Sequence, residues 1–138
     1  MLSKYCLPYL LKSSNPHILN ITIPLNYYPP EKLAEKLAYS MMKVGASYCT
    51  LGMAEEFKKE GVAVNALWPK KTIWTSAISN VLGGEEVKKR SRSPSIMADA
   101  AYLILTRNSR NHTGQFYLDE NLLTENGVAD IEAYKYQL

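Results

Sequence analysis

The sequence predicts an α/β fold: a parallel sheet of three strands with covering helices. Two observations carry that prediction. The short apolar runs 17–23, 62–68 and 115–118 are continuous rather than alternating, as strands buried on both faces are. Stretches of helical periodicity separate them, and strand–helix–strand alternation is the pattern of parallel sheets. The 138 residues are 46% hydrophobic and 21% charged, which fits one folded domain and excludes a disordered or collagen-like chain. No apolar run reaches the roughly 18 residues of a membrane helix. A net charge of +3, dispersed along the chain, argues against nucleic acid as a partner.

In chain order, residues 1–12 read as the end of a helix that stops at Ser13-Ser14-Asn15-Pro16. Residues 17–23, between Pro16 and Pro24, form the first strand, and 24–30 form a loop. A long helix is expected over 31–59, with Leu33, Leu37, Met41, Val44, Tyr48 and Leu51 as one apolar stripe at three- and four-residue spacing. Met42, Ala46, Met53 and Phe57 make a second apolar face roughly opposite, so this helix needs two partners: the sheet and something further. Gly61 closes the helix. Residues 62–68 form the second strand, ended by Pro69, and Lys70–Ser95 reads as polar and irregular. Ile96–Thr106 is a helix capped near Ser93 or Ser95 with Pro94 in its first turn, and 115–118 is the third strand. The last twenty residues carry no strong pattern.

Ligands in open parallel sheets bind beyond the carboxyl ends of the strands, so 22–26, 69–75 and 119–121 are candidate site segments. Tyr39 and Lys43 are four apart and share a helical face. A phenol titrates near pH 10 and acts as an acid near neutrality only when its anion is stabilised, which an ammonium one turn away does. With ten Tyr in the chain, this spacing is expected about once by chance. Tyr28 and Lys32 repeat it, but across Pro29-Pro30, where helical backbone is disfavoured. On spacing alone, a core tyrosine beside a solvated lysine is the better account. Lys88 to Arg92 reads as a solvated basic loop, His17 and His112 are isolated from other ligand types, and Cys6 and Cys49 fit a reducing compartment. The sequons at Asn20 and Asn111 read as chance.

Leu19-Asn20-Ile21, Tyr39-xxx-Lys43, Val64-Asn65-Ala66-Leu67-Trp68-Pro69 and Thr113-Gly114-Gln115, in that order, resemble the short-chain dehydrogenase/reductases over essentially the whole chain. The resemblance implies the second half of a doubly wound Rossmann domain, which accounts for the helix face without a partner. It implies that Tyr39 gives a proton to a substrate carbonyl and that Lys43 holds the nicotinamide ribose and lowers the Tyr39 pKa. Pro69, the Ile73 backbone and the Thr75 hydroxyl would border the nicotinamide of NADP or NAD. The helix 31–59, with Met53 and Phe57, would face a second copy in a homo-oligomer, and Trp74–Ser93 would be the substrate lid. The expected substrate is a lipid- or steroid-like carbonyl or alcohol, and the expected location is a peroxisome or mitochondrion.

The chain departs from the family pattern in three places. The family's serine before the tyrosine has no counterpart between Ser14 and Tyr39; Thr22 or Asn26 offers a donor in its stead, and an ordinary strand residue is the equal alternative for Thr22. Lys70 stands where a glycine usually follows the proline. No Gly-x-x-x-Gly-x-Gly turn is present, so residues 1–138 are expected to be a partial domain without its N-terminal dinucleotide-binding half. The alternative expectation is a non-enzymatic half-domain that interacts through its long helix.

Overall fold

The computed structural model describes every residue except Met1, Tyr28, Pro30, Lys32, Leu33, Glu35, Leu82, Gln137 and Leu138. Leu33 of the expected stripe and the Tyr28–Lys32 pair therefore lie outside the described residues. Three parallel strands, β1 (His17–Ile21), β2 (Ala63–Trp68) and β3 (Phe116–Leu118), form one sheet in the order β1-β2-β3. His17 pairs with Ala63 and Ile21 with Leu67 in parallel register. All six residues of β2 are buried, as expected of the central strand, whereas β1 is half-buried along most of its length. Asn65 is polar yet fully buried because its amide is satisfied on both sides: it donates to the His112 carbonyl at 2.8 Å and accepts from the Gln115 N–H at 2.9 Å. These bonds fix the turn before β3. Gly114 supplies the positive φ that turn needs, at 73°.

Two compact units divide the chain, Met1–Trp68 with Ile104–Tyr117, and Pro69–Leu103 with Leu118–Leu138. In the first, α1 (Leu2–Leu10) ends three residues before the expected stop at Ser13, and α2 (Leu37–Glu56) is the long helix, shorter than the expected 31–59. The face of α2 turned to the strands differs from the expectation. Its buried residues are Ser40, Ser47, Thr50 and Ala54, while Leu37, Met41 and Tyr48 are 62%, 66% and 64% exposed. At 100° per residue, the buried row lies roughly 90–100° from the centre of either apolar stripe. The cause is close approach: small Ser, Thr and Ala side chains let the helix backbone lie near the strands, and their hydroxyls bond polar groups there. Ser47 donates to the Ile23 carbonyl at 2.6 Å, and the Asn20 amide donates to the Thr50 hydroxyl at 2.9 Å.

Met53 and Phe57 also depart from their expected place on a partner-facing surface. Phe57 is buried with Ala54, Val62 and Val64, and Met53, Leu7, Leu10 and Ile18 pack against this cluster.

In the second unit, the stretch read as irregular holds two short helices, α3 (Ser76–Val81) and α4 (Glu85–Arg90). The following α5 (Ser95–Leu105) matches the predicted helix, with the Ser93 hydroxyl accepting the Ser95 N–H at 3.4 Å. The tail read as patternless contains α6 (Asp119–Glu125) and a 3-10 turn at Ile131–Tyr134. Arg92, placed by the sequence reading in a solvated basic loop, is only 2% exposed: it pairs with Glu120 at 3.0 Å and with Glu132.

Candidate functional site

Parallel strands place all their carboxyl ends on one edge of the sheet, and the side chain that reaches this edge from α2 is Lys43. Lys43 continues the buried row, three residues after Ser40 and four before Ser47, so the spacing that seats the helix also turns Lys43 toward the strands. Its ammonium donates to the carbonyl of Ile21, the last residue of β1, at 2.7 Å. It lies 5.3 Å from the ring centroid of Trp68, the last residue of β2. The Tyr39 ring, one turn back, has its centroid 5.8 Å from the same nitrogen and is 42% exposed. Tyr39, Lys43 and Trp68 thus meet at the carboxyl edge. Burial strips water from the Lys43 ammonium and pushes its pKa down, while the two aromatic faces and the Ile21 carbonyl favour the cation. An ammonium has three donors, and one is spent on Ile21.

Thr22 lies beneath this group, fully buried. Its hydroxyl donates to the Lys43 backbone carbonyl and sits 3.0 Å from the Ser47 hydroxyl. The position expected to orient a carbonyl thus holds the helix turn that bears Lys43. Asn26, the other donor read from the sequence, is exposed in the turn that follows β1.

Pro69, Ile73 and Thr75 belong to the second unit. Ile73 forms a parallel bridge with Arg92, and the Thr75 hydroxyl accepts the Ile78 N–H at 3.4 Å at the start of α3. Both ends of the expected lid are pinned together, because the Trp74 N–H donates to the Arg92 carbonyl at 2.9 Å.

Sequence reasoning missed three positioning residues. Trp68 is legible in the sequence as a strand end and as part of the Val64–Pro69 block, but not as the aromatic partner of Lys43. Ser47 does not show in the apolar periodicity, because its side chain is small and polar and seats the helix through a hydrogen bond to the Ile23 carbonyl. Asp119, fully buried at the end of β3, accepts the N–H groups of Lys70 at 2.8 Å and Glu120 at 2.7 Å, which fixes the first residues after Pro69. Burial pushes the Asp119 carboxyl up, against those two N–H groups.

Among the described residues, no group of three or more His, Cys, Asp or Glu side chains is placed to hold a metal ion. No helix among them is long and apolar enough to cross a membrane.

Three parallel strands in this order, the first two joined by one long helix, make half of a Rossmann-type domain. Over 99% of its length the chain superposes on a short-chain dehydrogenase from Mycobacterium thermoresistibile, with a TM-score of 0.86 and 41% identity, covering 48% of that protein. Over 132 residues it is 51% identical to hydroxysteroid dehydrogenase-like protein 2 of Xenopus laevis. It is 48% identical over the same length to the human protein of that name. These matches cover 96% of this chain and 31% of each relative, so the chain spans about a third of the curated relatives it resembles. No family profile matches the chain.

Proposed function

We propose that this chain supplies the tyrosine–lysine half of an NAD(P)-dependent oxidoreductase of the short-chain dehydrogenase type. The observation that carries the reading is Lys43, held by the Ile21 carbonyl at the carboxyl edge of the strands and 5.8 Å from the Tyr39 ring. Tyr39 gives its phenolic proton to the carbonyl oxygen of a lipid- or steroid-like substrate during reduction and takes it back from the alcohol in reverse. Lys43 stabilises the phenolate by its charge and uses its remaining donors on ribose hydroxyls. Thr22, with its proton on the Lys43 carbonyl, positions that turn, which leaves the Asn26 amide to hold the substrate oxygen.

In this reading Lys43 holds the cofactor's ribose with the Tyr39 ring beside it, and Pro69, Ile73 and Thr75 are the residues that would take the carboxamide. Glycine occurs only at 45, 52, 61, 83, 84, 114 and 127, so the phosphates need a glycine-rich turn from residues outside this sequence. The nicotinamide, when bound, supplies or accepts the hydride.

The test is complementation. This chain is joined to the preceding part of the dehydrogenase region of the Xenopus laevis relative, and NADPH consumption is followed with a panel of acyl and steroid ketones. Turnover by the joined domain supports the reading, and failure of a folded joined domain on every ketone refutes it.

The partner in the same reading is a second copy of the chain. Leu37, Met41, Tyr48 and Leu51 are exposed at four-, seven- and three-residue steps along α2, the seam spacing of paired helices. Replacing Met41 and Tyr48 together by Glu is expected to turn a dimer into a monomer in light scattering while leaving the helical circular dichroism intact. A dimer that persists would place the interface elsewhere.

A further inference from the structure

Three extended segments of the second unit meet at Arg92, which bridges Ile73 in parallel and Lys135 in antiparallel fashion. Four backbone hydrogen bonds fix this ribbon: Arg92 N–H to Thr72, Trp74 N–H to Arg92, Tyr136 N–H to Ser91 and Ser93 N–H to Tyr134, at 2.7–3.0 Å. Beside it lies a cavity of about 710 Å³ whose lining includes Lys70, Lys71, Lys89, Arg90, Arg92 and Lys135 against one carboxylate, Glu132. The neighbouring cavity of about 410 Å³ differs in kind: there Glu120, Glu125 and Glu132 balance Lys70, Lys71 and Arg92.

Three carboxylates offset part of the larger cavity's charge. Lys89 pairs with Glu86 at 3.4 Å, Lys71 with Glu132 at 3.7 Å, and Arg92 with Glu120 at 3.0 Å. Counting each as a full neutralisation leaves three of the six positive charges, equal to the net charge of the whole chain, +3. The Arg92 hydrogen bond, with the charges of Arg92, Lys71 and Lys135 contributing, holds the Glu132 carboxyl down at about 2 although it is exposed to water. Asp119 fixes the Lys70 backbone, so the site is partly preorganised.

We propose that this cleft binds the diphosphate group of a small molecule. The volume falls within the roughly 300–1,000 Å³ of small-ligand sites. A single carboxylate would leave most of the charge unmatched, whereas a phosphate group carries about two negative charges and several strong acceptor oxygens. A concave pocket suits a small molecule better than a bilayer surface. No residue of the Tyr39–Lys43 group takes part, although the lining shares the 69–75 segment and the Trp74–Ser93 stretch with the dehydrogenase reading, so the test is a direct binding measurement and not turnover.

The test titrates the 138-residue chain with inorganic pyrophosphate by calorimetry at low ionic strength, in parallel with ADP, adenosine and vesicles of phosphatidylcholine containing phosphatidylserine. Expected is saturable 1:1 binding of both pyrophosphate and ADP, none of adenosine, and weakening as salt is raised. Replacing Lys89 and Lys135 together by Gln should weaken pyrophosphate about tenfold or more, and Lys71→Glu likewise. The control K58Q, on α2's exposed C-terminal flank, should leave it unchanged, with circular dichroism confirming that all variants fold. Comparable pyrophosphate and ADP affinities identify the diphosphate itself as the recognised group. No saturable pyrophosphate binding, loss no greater in K89Q/K135Q than in K58Q, binding of ADP alone, or binding to vesicles alone would each overturn the proposal.

Discussion

Tyr39→Phe in the joined domain is expected to lower kcat by about a thousandfold, the middle of the range for removing a positioned general acid, with NADPH affinity nearly unchanged. The phenol hydroxyl is the only group this substitution deletes, and the ring that faces Lys43 stays. Steady-state kinetics on the best ketone, together with a cofactor titration, separates the two effects: an interaction made only in the transition state lowers kcat and kcat/KM alike. Retained turnover would remove Tyr39 from its role.

Arg92→Leu is expected to destabilise the chain by about 3 kcal/mol, a drop of roughly 10 °C in Tm, because it leaves Glu120 charged in a poorly hydrated place. The estimate sits at the low end for a broken buried pair, since Lys70 and Lys71 still face Glu120 at 3.8 Å. An acid-side signature accompanies it. The Glu132 carboxyl is held at about 2 against an ordinary 4.5, chiefly by Arg92. A depressed carboxylate contributes stability that is present above its unfolded pKa and lost as pH falls through the folded value. Urea unfolding should therefore show the wild-type chain losing stability between about 4.5 and 2, with a flatter profile in Arg92→Leu. An unchanged midpoint and the same acid slope would show that Arg92 is not the hub of its unit.

The strands were legible because proline bounds β1 and ends β2, and a continuous apolar run admits few other readings. The carboxyl edge and its Tyr39–Lys43 pair followed from strand order plus a four-residue step. The seating of α2 was not legible from apolarity, because close packing selects Ser40, Ser47, Thr50 and Ala54 and leaves the larger apolar residues outside. Reading small and hydroxylated residues at the same three-and-four spacing would have found it. The settings of Thr22 and Arg92 were not legible for another reason: their partners lie far along the chain. Thr22 bonds the turn of Lys43, and Arg92 bonds Glu120 and Glu132, 28 and 40 residues away. Helices of six residues, such as α3 and α4, complete too few turns for a period to show.

The most direct measurement is the affinity of the joined domain for NADPH, read by fluorescence, in the wild type, Lys43→Met and Tyr39→Phe. A rim ammonium that holds the ribose predicts about ten- to hundredfold weaker binding in Lys43→Met, the range for a lost charged hydrogen bond, and wild-type binding in Tyr39→Phe. Equal affinity in Lys43→Met and wild type would contradict the account.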